Sequence, residues 1–328
     1  MDINADGFAD VLSGCYSQHG YDFMVGSFWV LYGSKEGKFA KPVELKGSDG
    51  KILMVLDAKS ASDSNLDIKN ICTRPYAADL NGDGKLDIIS GNFDGSFFFF
   101  AGEGKGAFLP KAVELTDDTG TPLRVASGHS DPFFVDWDSD GDLDLLSGSS
   151  GGEIAWAENK SAKGQTAMPK FGAFATLIAA PAQDDKGTAA EGPAHAVRIH
   201  VADLNGDGKL DILAGDARHS GGEPRKDLTV EETKKYKALQ DEMDKASEKY
   251  QQRFEKYWKE YEAAVEKAGK KLTDEEQAKL WKELVEDKME KDEELKAAQE
   301  RISELQEELS KYVTPWVSTG NVWVYTQK

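Results

Sequence analysis

The sequence predicts an all-β protein, a β-propeller of four-stranded blades with four repeats visible, into which an antiparallel α-helical hairpin is inserted. Two observations lead to this prediction. An aspartate-rich pattern of nine residues occurs four times, each time before a short apolar segment, and one long charged segment with helical spacing interrupts the fourth repeat. We expect the propeller to comprise residues 1–226 plus 313–328 and the coiled-coil hairpin residues 227–312.

The repeated pattern begins and ends with aspartate and has glycine at its sixth position. Its copies cover residues 2–10, 79–87, 136–144 and 203–211. Each copy leads directly into a short apolar segment that ends in glycine, which is typical of a strand. These segments are Val11–Gly14, Ile88–Gly91, Leu145–Gly148 and Ile212–Gly215.

Further strands are predicted around each copy. A second strand follows in every repeat, at residues 27–32, 96–101, 153–157 and 321–325, and a third precedes the later copies, as at 132–135 and 196–201. A fourth follows the first two copies, at 42–45 and 111–115. The copies start 77, 57 and 67 residues apart, which is room for one antiparallel four-stranded sheet per repeat.

The interrupting segment predicts two long helices. Residues 227–312 contain 25 acidic and 18 basic side chains, no proline and one glycine. A capping box is predicted at Thr229 with Glu232, and a second at Thr273 after a break at 268–271. Two helices of about forty residues would form an arm roughly 60 Å long. The predicted seam of the second helix is Leu295, Ala298, Ile302, Leu305, Leu309 and Tyr312.

The aspartate pattern predicts a metal site in each loop. Carboxylate and amide oxygens at alternate positions, with glycine allowing the tight turn, are the chemistry that binds calcium, so up to four Ca²⁺ ions are expected. The predicted side-chain ligands are Asp2, Asn4, Asp6, Asp10, Asp79, Asn81, Asp83, Asp87, Asp136, Asp138, Asp140, Asp144, Asp203, Asn205, Asp207 and Asp211. Backbone carbonyls at position seven would add Phe8, Lys85, Asp142 and Lys209.

An EF-hand does not fit these loops. It requires glutamate at position twelve and flanking helices, whereas position twelve here is Ser13, Ser90, Ser147 or Ala214, inside a predicted strand. Dockerin modules are excluded for the same reason, since helices follow their loops.

These residues resemble FG-GAP or VCBS repeats, which build calcium-bearing propellers like the head of integrin α chains. Residues 79–91, followed by Gly95–Ala101, Gly104 and Phe108, are similar to a full VCBS unit. The chain also resembles uncharacterised bacterial VCBS-repeat proteins of the planctomycete kind, in which a charged helical segment precedes a closing strand like Gly320–Tyr325. The resemblance implies a secreted, periplasmic or cell-surface protein.

Charge and composition limit the partners. With 59 acidic and 40 basic side chains, the net charge of −19 repels phosphate backbones and anionic lipids, so neither nucleic acid nor a membrane surface is expected as a partner. No apolar run is long enough for membrane insertion. The two cysteines, Cys15 and Cys72, fix neither a disulfide nor a redox compartment.

The ends of the chain suggest a longer precursor. Met1 stands directly before the first motif, where the later copies carry a strand such as Tyr76–Ala78, and the last repeat ends after its third strand. We expect that a preceding segment supplied an export signal and the missing strands.

No convincing catalytic constellation is found, so an enzyme is not predicted. The stretch 148–152 matches G-x-S-x-G but precedes a strand rather than a helix. The five histidines show no zinc spacing. His129 and His195 lie seven and eight residues before their motif aspartates, and Cys72 lies seven before its own. With Arg74, Asp131 and Arg198 they could line one mouth of a central channel, as a ligand site or as a solvated rim.

The sequence therefore favours a calcium-stabilised scaffold that binds or assembles proteins. Its aromatic stripe on the helical arm could join the two helices or form a surface for a protein partner or self-association. The alternatives are a carbohydrate-binding propeller, for which Trp137 in a metal loop is the residue to examine, and a propeller lyase or hydrolase. Three tryptophans on corresponding strands, Trp29, Trp156 and Trp323, are expected to pack between blades.

Overall fold

The computed structural model describes residues 1–17, 24–56, 68–161, 168–182, 191–268, 272 and 274–327. The chain divides into two compact units, one comprising Met1–Arg218 with Ser318–Lys328 and the other His219–Val317. The first unit is built from antiparallel sheets and the second from helices. Among the described helices, none has the length and apolar character needed to cross a bilayer.

Four sheets follow one another along the first unit. The first contains β1 (Val11–Gly14), β2 (Phe28–Leu31) and β3 (Val43–Glu44). The second contains β4 (Arg74–Ala78), β5 (Asp87–Gly91), β6 (Phe97–Phe100) and β9 (Val113–Glu114), and a small hairpin of β7 (Gly102–Gly104) and β8 (Ala107–Phe108) lies between its last two strands in sequence. A short 3₁₀ helix, Ile68–Asn70, precedes β4.

The third and fourth sheets complete the series. The third contains β10 (Asp131–Val135), β11 (Asp144–Gly148), β12 (Ile154–Ala157) and β13 (Ala175–Ile178). The fourth contains β14 (His195–Ala202), the long strand β15 (Asp211–Ser220), β16 (Val317–Thr319) and β17 (Val322–Tyr325), with both β16 and β17 beside β15. The predicted antiparallel sheets are confirmed, and β13 and the β7–β8 hairpin are strands that the sequence did not predict.

Each sheet packs on the next through an apolar layer. One core cluster joins the first and second sheets through side chains such as Phe28 and Phe100. A second joins the second and third sheets, where Ile89 and Leu145 are fully buried, and a third joins the third and fourth sheets around Ile154. Both faces of the second and third sheets are therefore covered by neighbouring sheets.

The helical unit begins with one long helix. Helix α1 (Val230–Lys267) starts at Thr229, whose hydroxyl accepts from the backbone N–H of Glu232 while the glutamate carboxylate accepts from the threonine N–H, so the predicted first capping box forms. The return consists of α2 (Asp274–Trp281), a π-helical turn over Lys282–Glu286, α3 (Asp287–Lys291) and α4 (Glu293–Ser310). The predicted break covers residues 268–271, and α1 ends before it, at Lys267. Residues 269–271 and the predicted N-cap at Thr273 lie outside the described residues.

The sequence predicted a second helix of about forty continuous residues, and the structure shows instead a helix that is interrupted. Asp292 has an extended backbone and ends α3, and its Oδ1 caps α4 by accepting from the N–H groups of Glu294 and Leu295. Its other oxygen accepts from Arg253 Nε at 2.7 Å and the Tyr257 hydroxyl at 2.6 Å, both on α1. These contacts with α1 hold the interruption in place. The spacing of apolar residues along a single helix could not predict them.

Candidate metal sites in the four aspartate loops

All four aspartate loops share one backbone conformation. The residues at positions four and six have positive φ in every copy, between 59° and 78° at position four and between 84° and 99° at position six. Glycine adopts such angles without steric cost, which explains why position six is always glycine. At position four the first and third loops carry Ala5 and Ser139, so these two loops hold side chains in a conformation that L residues disfavour.

The first aspartate of each loop closes it. Its carboxylate accepts from the backbone N–H of the position-six glycine in every copy, which pulls the chain into a tight turn around the acid. The N···O distances are 2.8 Å for Asp2–Gly7, 2.8 Å for Asp79–Gly84, 3.0 Å for Asp136–Gly141 and 2.9 Å for Asp203–Gly208.

Positions three and five continue this pattern. The position-three oxygen accepts from the N–H of residue five at 2.8–3.2 Å, and the position-five carboxylate accepts from the N–H of residue seven at 2.9–3.1 Å. An ionised carboxylate can accept about four hydrogen bonds, so these bonds leave oxygen lone pairs for a cation. The backbone thus gathers the oxygens of positions one, three and five around one turn in each loop.

Position nine fastens each loop to its sheet. This aspartate is buried in all four copies and accepts from two backbone N–H groups, one at position two and one beyond the strand paired with its own. The four pairs of donors are Ile3 and Gly33 for Asp10, Leu80 and Gly102 for Asp87, Trp137 and Asn159 for Asp144, and Leu204 and Gln327 for Asp211. Burial raises the pKa of Asp87 and of Asp144, because the ionised carboxylates lose water.

The third loop has the highest density of negative charge. Asp136 Oδ1 and both carboxylate oxygens of Asp142 are buried and have no hydrogen-bond partner among the described residues. Burial, followed by repulsion from the other four aspartates of the loop, raises the pKa of Asp142 to about 6. These oxygens need either protons or a cation as partners.

The spacing of the third loop suits a hard divalent cation. One oxygen each of Asp136, Asp138 and Asp144 lies within 4.8 Å of the others. Two oxygens coordinated by one calcium ion at about 2.3–2.6 Å each are separated by at most about 5 Å, so these three can share an ion. The unpartnered oxygens of Asp136 and Asp142 lie in the same loop, and the residues therefore fit calcium.

In the third loop the structure places one oxygen each of Asp136, Asp138 and Asp144 within 4.8 Å of one another, and it adds one group that the sequence reasoning did not use. Asp142 was predicted to contribute a backbone carbonyl, but its side chain also places two buried carboxylate oxygens in the loop, without a hydrogen-bond partner among the described residues. The signal was present in the sequence, because position seven is phenylalanine or lysine in the other three copies and acidic only here.

A polar cluster forms around the first residues of β4 and β10 and the nearby part of β14. Arg74 is buried and donates to the His129 carbonyl at 2.9 Å, with its Nη2 3.3 Å from His129 Nδ1. Arg198 forms an ion pair with Asp131 at 2.5 Å. Burial and the neighbouring arginine lower the pKa of Arg74, and burial and both arginines lower that of His129.

One histidine is displaced from the position that the sequence suggested. Cys72, His129 and Ala196 have the same positive φ, 58°, 56° and 51°, two residues before Arg74, Asp131 and Arg198. Ala196 is thus the equivalent of His129, and His195 is shifted by one residue at an irregularity in the pairing of β14 with β15.

The remaining candidates have structural positions. Residues 148–152 connect β11 to β12 by a turn, and Trp137 packs against the core cluster between the third and fourth sheets. Trp29 and Trp323 lie at equivalent positions, opposite Ser13 and Ala214, but Trp156 lies opposite Leu146, one residue away, and so faces the other side of its sheet. Both cysteines are free thiols.

Two segments of the chain match a known repeat family. Residues 79–147 and 136–214 match the FG-GAP-like repeat. Among solved structures, a lectin of Agrocybe aegerita, described for specific recognition of non-reducing terminal N-acetylglucosamine, aligns at 18% identity and a TM-score of 0.31 over 65% of this chain and 63% of the lectin chain, which is less than two thirds of the lectin's length. A comparison with curated proteins finds no match.

The matched segments hold the second, third and fourth aspartate loops together with all strands from β5 to β14. The chain therefore contains FG-GAP-like repeats, at residues 79–147 and 136–214.

Proposed function

We propose that this chain is a calcium-stabilised β-propeller scaffold that acts outside the cytoplasm and mediates protein binding or assembly. The observation that carries the proposal is the third aspartate loop, where buried carboxylate oxygens of Asp136 and Asp142 have no partner among the described residues. Calcium supplies the positive charge that these oxygens require, and the shared conformation of the other three loops extends the proposal to four ions.

A bound metal ion would stabilise the fold rather than take part in a reaction. Position nine already fastens each loop to its sheet through two backbone N–H groups, so a bound ion would tie the side-chain oxygens at positions one, three and five to that buried aspartate. Four calcium ions would also reduce the formal charge from −19 to −11, which weakens repulsion within the molecule.

The propeller arrangement is supported by the order of the sheets. Consecutive sheets pack face to face, and the first strands of neighbouring sheets, β4, β10 and β14, contact one another in sequence order. Such contacts between first strands are those of blades arranged around an axis. FG-GAP repeats are typical of extracellular proteins, which supports a location outside the cytoplasm.

The helical unit offers a surface for a protein partner. Trp258 is 40% exposed and contacts Phe254, Tyr261 and Trp281, with ring centroids 5.8 Å apart for the two tryptophans. Partly exposed tryptophan and tyrosine are enriched at protein interfaces because their rings supply a large contact area with little loss of conformational freedom. We therefore assign binding or oligomerisation to this aromatic cluster.

Thermal unfolding with and without calcium tests the metal sites. In excess chelator the melting temperature should be low, and about 1 mM calcium should raise it, since a site saturated a hundredfold above its Kd adds about 2.7 kcal/mol. Asp140→Ala should reduce the calcium shift, whereas Asp49→Ala, an exposed acid outside the loops, should not. No calcium shift in the wild-type chain would contradict the proposal.

Affinity capture tests the helical unit. The immobilised wild-type chain should retain a protein from extracts of its source, Trp258→Ser should lose it, and Val230→Ser, a change at an exposed residue on the same helix, should retain it. Equal retention by all three chains would exclude the aromatic cluster as the binding surface.

Carbohydrate binding stays a separate hypothesis. Trp137 packs into the core between two sheets, so a sugar would need another aromatic platform. Calcium-dependent retention on polysaccharide that survives Trp258→Ser would favour it. We propose binding rather than catalysis, since no observation on the described residues favours a particular reaction.

A further inference from the structure

The three sheet-to-sheet interfaces repeat one pattern. Every sheet has two faces. We call the face that packs on the next sheet along the chain the leading face, and the face that packs on the preceding sheet the trailing face. Between the first two sheets the leading side chains are Leu12, Phe28 and Val30 and the trailing side chains are Ile88, Phe98 and Phe100. Between the second and third they are Ile89, Phe97 and Phe99 with Leu145 and Ala157, and between the last two Leu146, Ile154 and Trp156 with Ile212, Ala214, Trp323 and Tyr325.

Strand register shows that these positions are equivalent. The glycine that ends the motif strand lies opposite the first residue of the following strand in all four sheets, which pairs Gly14 with Phe28 and Gly215 with Val322. Because side chains alternate between the two faces of a sheet, this shared register puts the same strand positions on the same face in every copy. The leading and trailing faces are therefore two distinct, repeated surfaces.

Two faces of the series lie outside these interfaces. The leading face of the fourth sheet carries Val322 and Val324, which are 72% and 56% exposed. The trailing face of the first sheet carries Val11, which is 43% exposed, together with the partly exposed Trp29 and Leu31. Over the described ranges of the chain, none of these five side chains belongs to a core cluster, although their equivalents in the middle sheets are buried, except the half-buried Trp156.

The two exposed faces are of opposite kinds. One is leading and the other trailing, which is the pairing that forms all three internal interfaces. We propose that two copies of this chain associate head to tail, with the leading face of the fourth sheet of each copy on the trailing face of the partner's first sheet. Two such contacts related by a twofold axis would close a ring of eight sheets and leave neither apolar face in water.

Charge predicts how the assembly responds to salt. Each copy carries a net charge of −19, so the two copies repel one another at low ionic strength. Association through apolar faces should therefore strengthen as salt rises, whereas association through ion pairs on the helical unit would weaken. The inference extends the proposed scaffold role but rests on sheet packing alone, so it can fail while the calcium sites are real, and the reverse also holds.

Sedimentation velocity of the full chain tests the dimer. At about 100 µM chain and about 0.5 M NaCl, where charge repulsion is screened, the wild-type chain should sediment with twice the monomer mass of 35.9 kDa. Val322→Lys with Val324→Lys alters the leading face, and Val11→Glu alters the trailing face. Each variant alone should be monomeric, and Val230→Lys, at a residue 90% exposed on helix α1, should remain dimeric.

Mixing the variants tests the head-to-tail arrangement. A mixture of the lysine variant with Val11→Glu keeps one wild-type contact and joins lysine to glutamate at the other, so it should recover at least half of the dimer. Circular dichroism of each variant separates lost assembly from lost folding, and the substituted valines are exposed enough to tolerate the change. A monomeric wild-type chain, a dimer insensitive to both face variants, or no recovery on mixing would each overturn the proposal.

Discussion

Replacing Asp142 with asparagine should stabilise the metal-free protein at neutral pH. The Asp142 carboxylate is partly buried among four other aspartates, and its oxygens have no hydrogen-bond partner among the described residues. Burial and repulsion raise its pKa from 3.8 to about 6. At about 1.4 kcal/mol per pKa unit, reduced for solvent screening of a partly exposed group, the ionised form costs about 1–2 kcal/mol of folding free energy.

The pH dependence identifies the group. Because the folded-state pKa lies above the unfolded-state value, the folded chain binds more protons between about pH 4 and 6. The cost is therefore nearly complete above about pH 6, decreases as the pH falls from 6 towards the unfolded-state pKa of 3.8, and is lost below that value. In excess chelator Asp142→Asn should raise the melting temperature by about 2–8 °C at pH 7.5, but by about half as much at pH 5, where the carboxyl is protonated in the folded chain and still ionised in the unfolded chain.

Calcium should reduce the stabilising effect of Asp142→Asn. In about 1 mM calcium the carboxylate charge helps to hold the ion, so the asparagine variant should gain less stability from calcium than the wild-type chain. Lys209→Asn, at the same position of the fourth loop, is the matched control and should show no comparable change between pH 5 and 7.5. Differential scanning calorimetry at both pH values measures the effect, and an Asp142→Asn benefit that is absent or independent of pH would refute the reasoning.

Three further substitutions test other parts of the structure. Asp292→Ala removes a side chain that is 3% exposed and accepts from an arginine and a tyrosine on α1, and it should destabilise the helical unit by about 3–5 kcal/mol in helix melting at 222 nm, unlike Asp287→Ala. Phe100→Ala, fully buried between the first two sheets, should cost about 3–5 kcal/mol in urea unfolding, whereas Phe39→Ala at an exposed residue should cost less than about 0.5 kcal/mol. Ser139→Gly, at a φ of 64°, should stabilise the third loop by about 0.5–1 kcal/mol, and a loss of stability there would contradict the strain argument.

The local features of this protein could be predicted from the sequence alone. The four aspartate loops, the motif strands after them and the capping box at Thr229 all form as the residue spacing indicates. Each depends on contacts within about ten residues, such as a carboxylate accepting from an N–H five positions later. Turns, strands and helix caps can therefore be predicted from the residue pattern without knowledge of the fold.

The contents of the metal loops were partly predictable. Spacing predicts that positions one, three, five and nine lie around one turn, and in the third loop the structure brings oxygens of positions one, three and nine within 4.8 Å of one another. Whether a carboxylate such as Asp142 is exposed or held without a partner depends on the sheets around the loop. The sequence spacing already offsets His195 by one residue from the position of His129, eight residues before its motif against seven, but only the structure shows the irregular strand pairing at that place.

Contacts between distant segments were decided only by the tertiary structure. The interruption at Asp292 depends on Arg253 and Tyr257, about forty residues earlier, so a helical repeat read along one segment could not reveal it. Trp156 faces the opposite side of its sheet from Trp29 and Trp323 because strand register, not strand order, sets the face. The sequence by itself determined the loops, strands and helices, since these follow from neighbours along the chain. Which apolar faces are covered and which remain exposed follows from register and packing between segments far apart in the chain, and only the tertiary structure decided it.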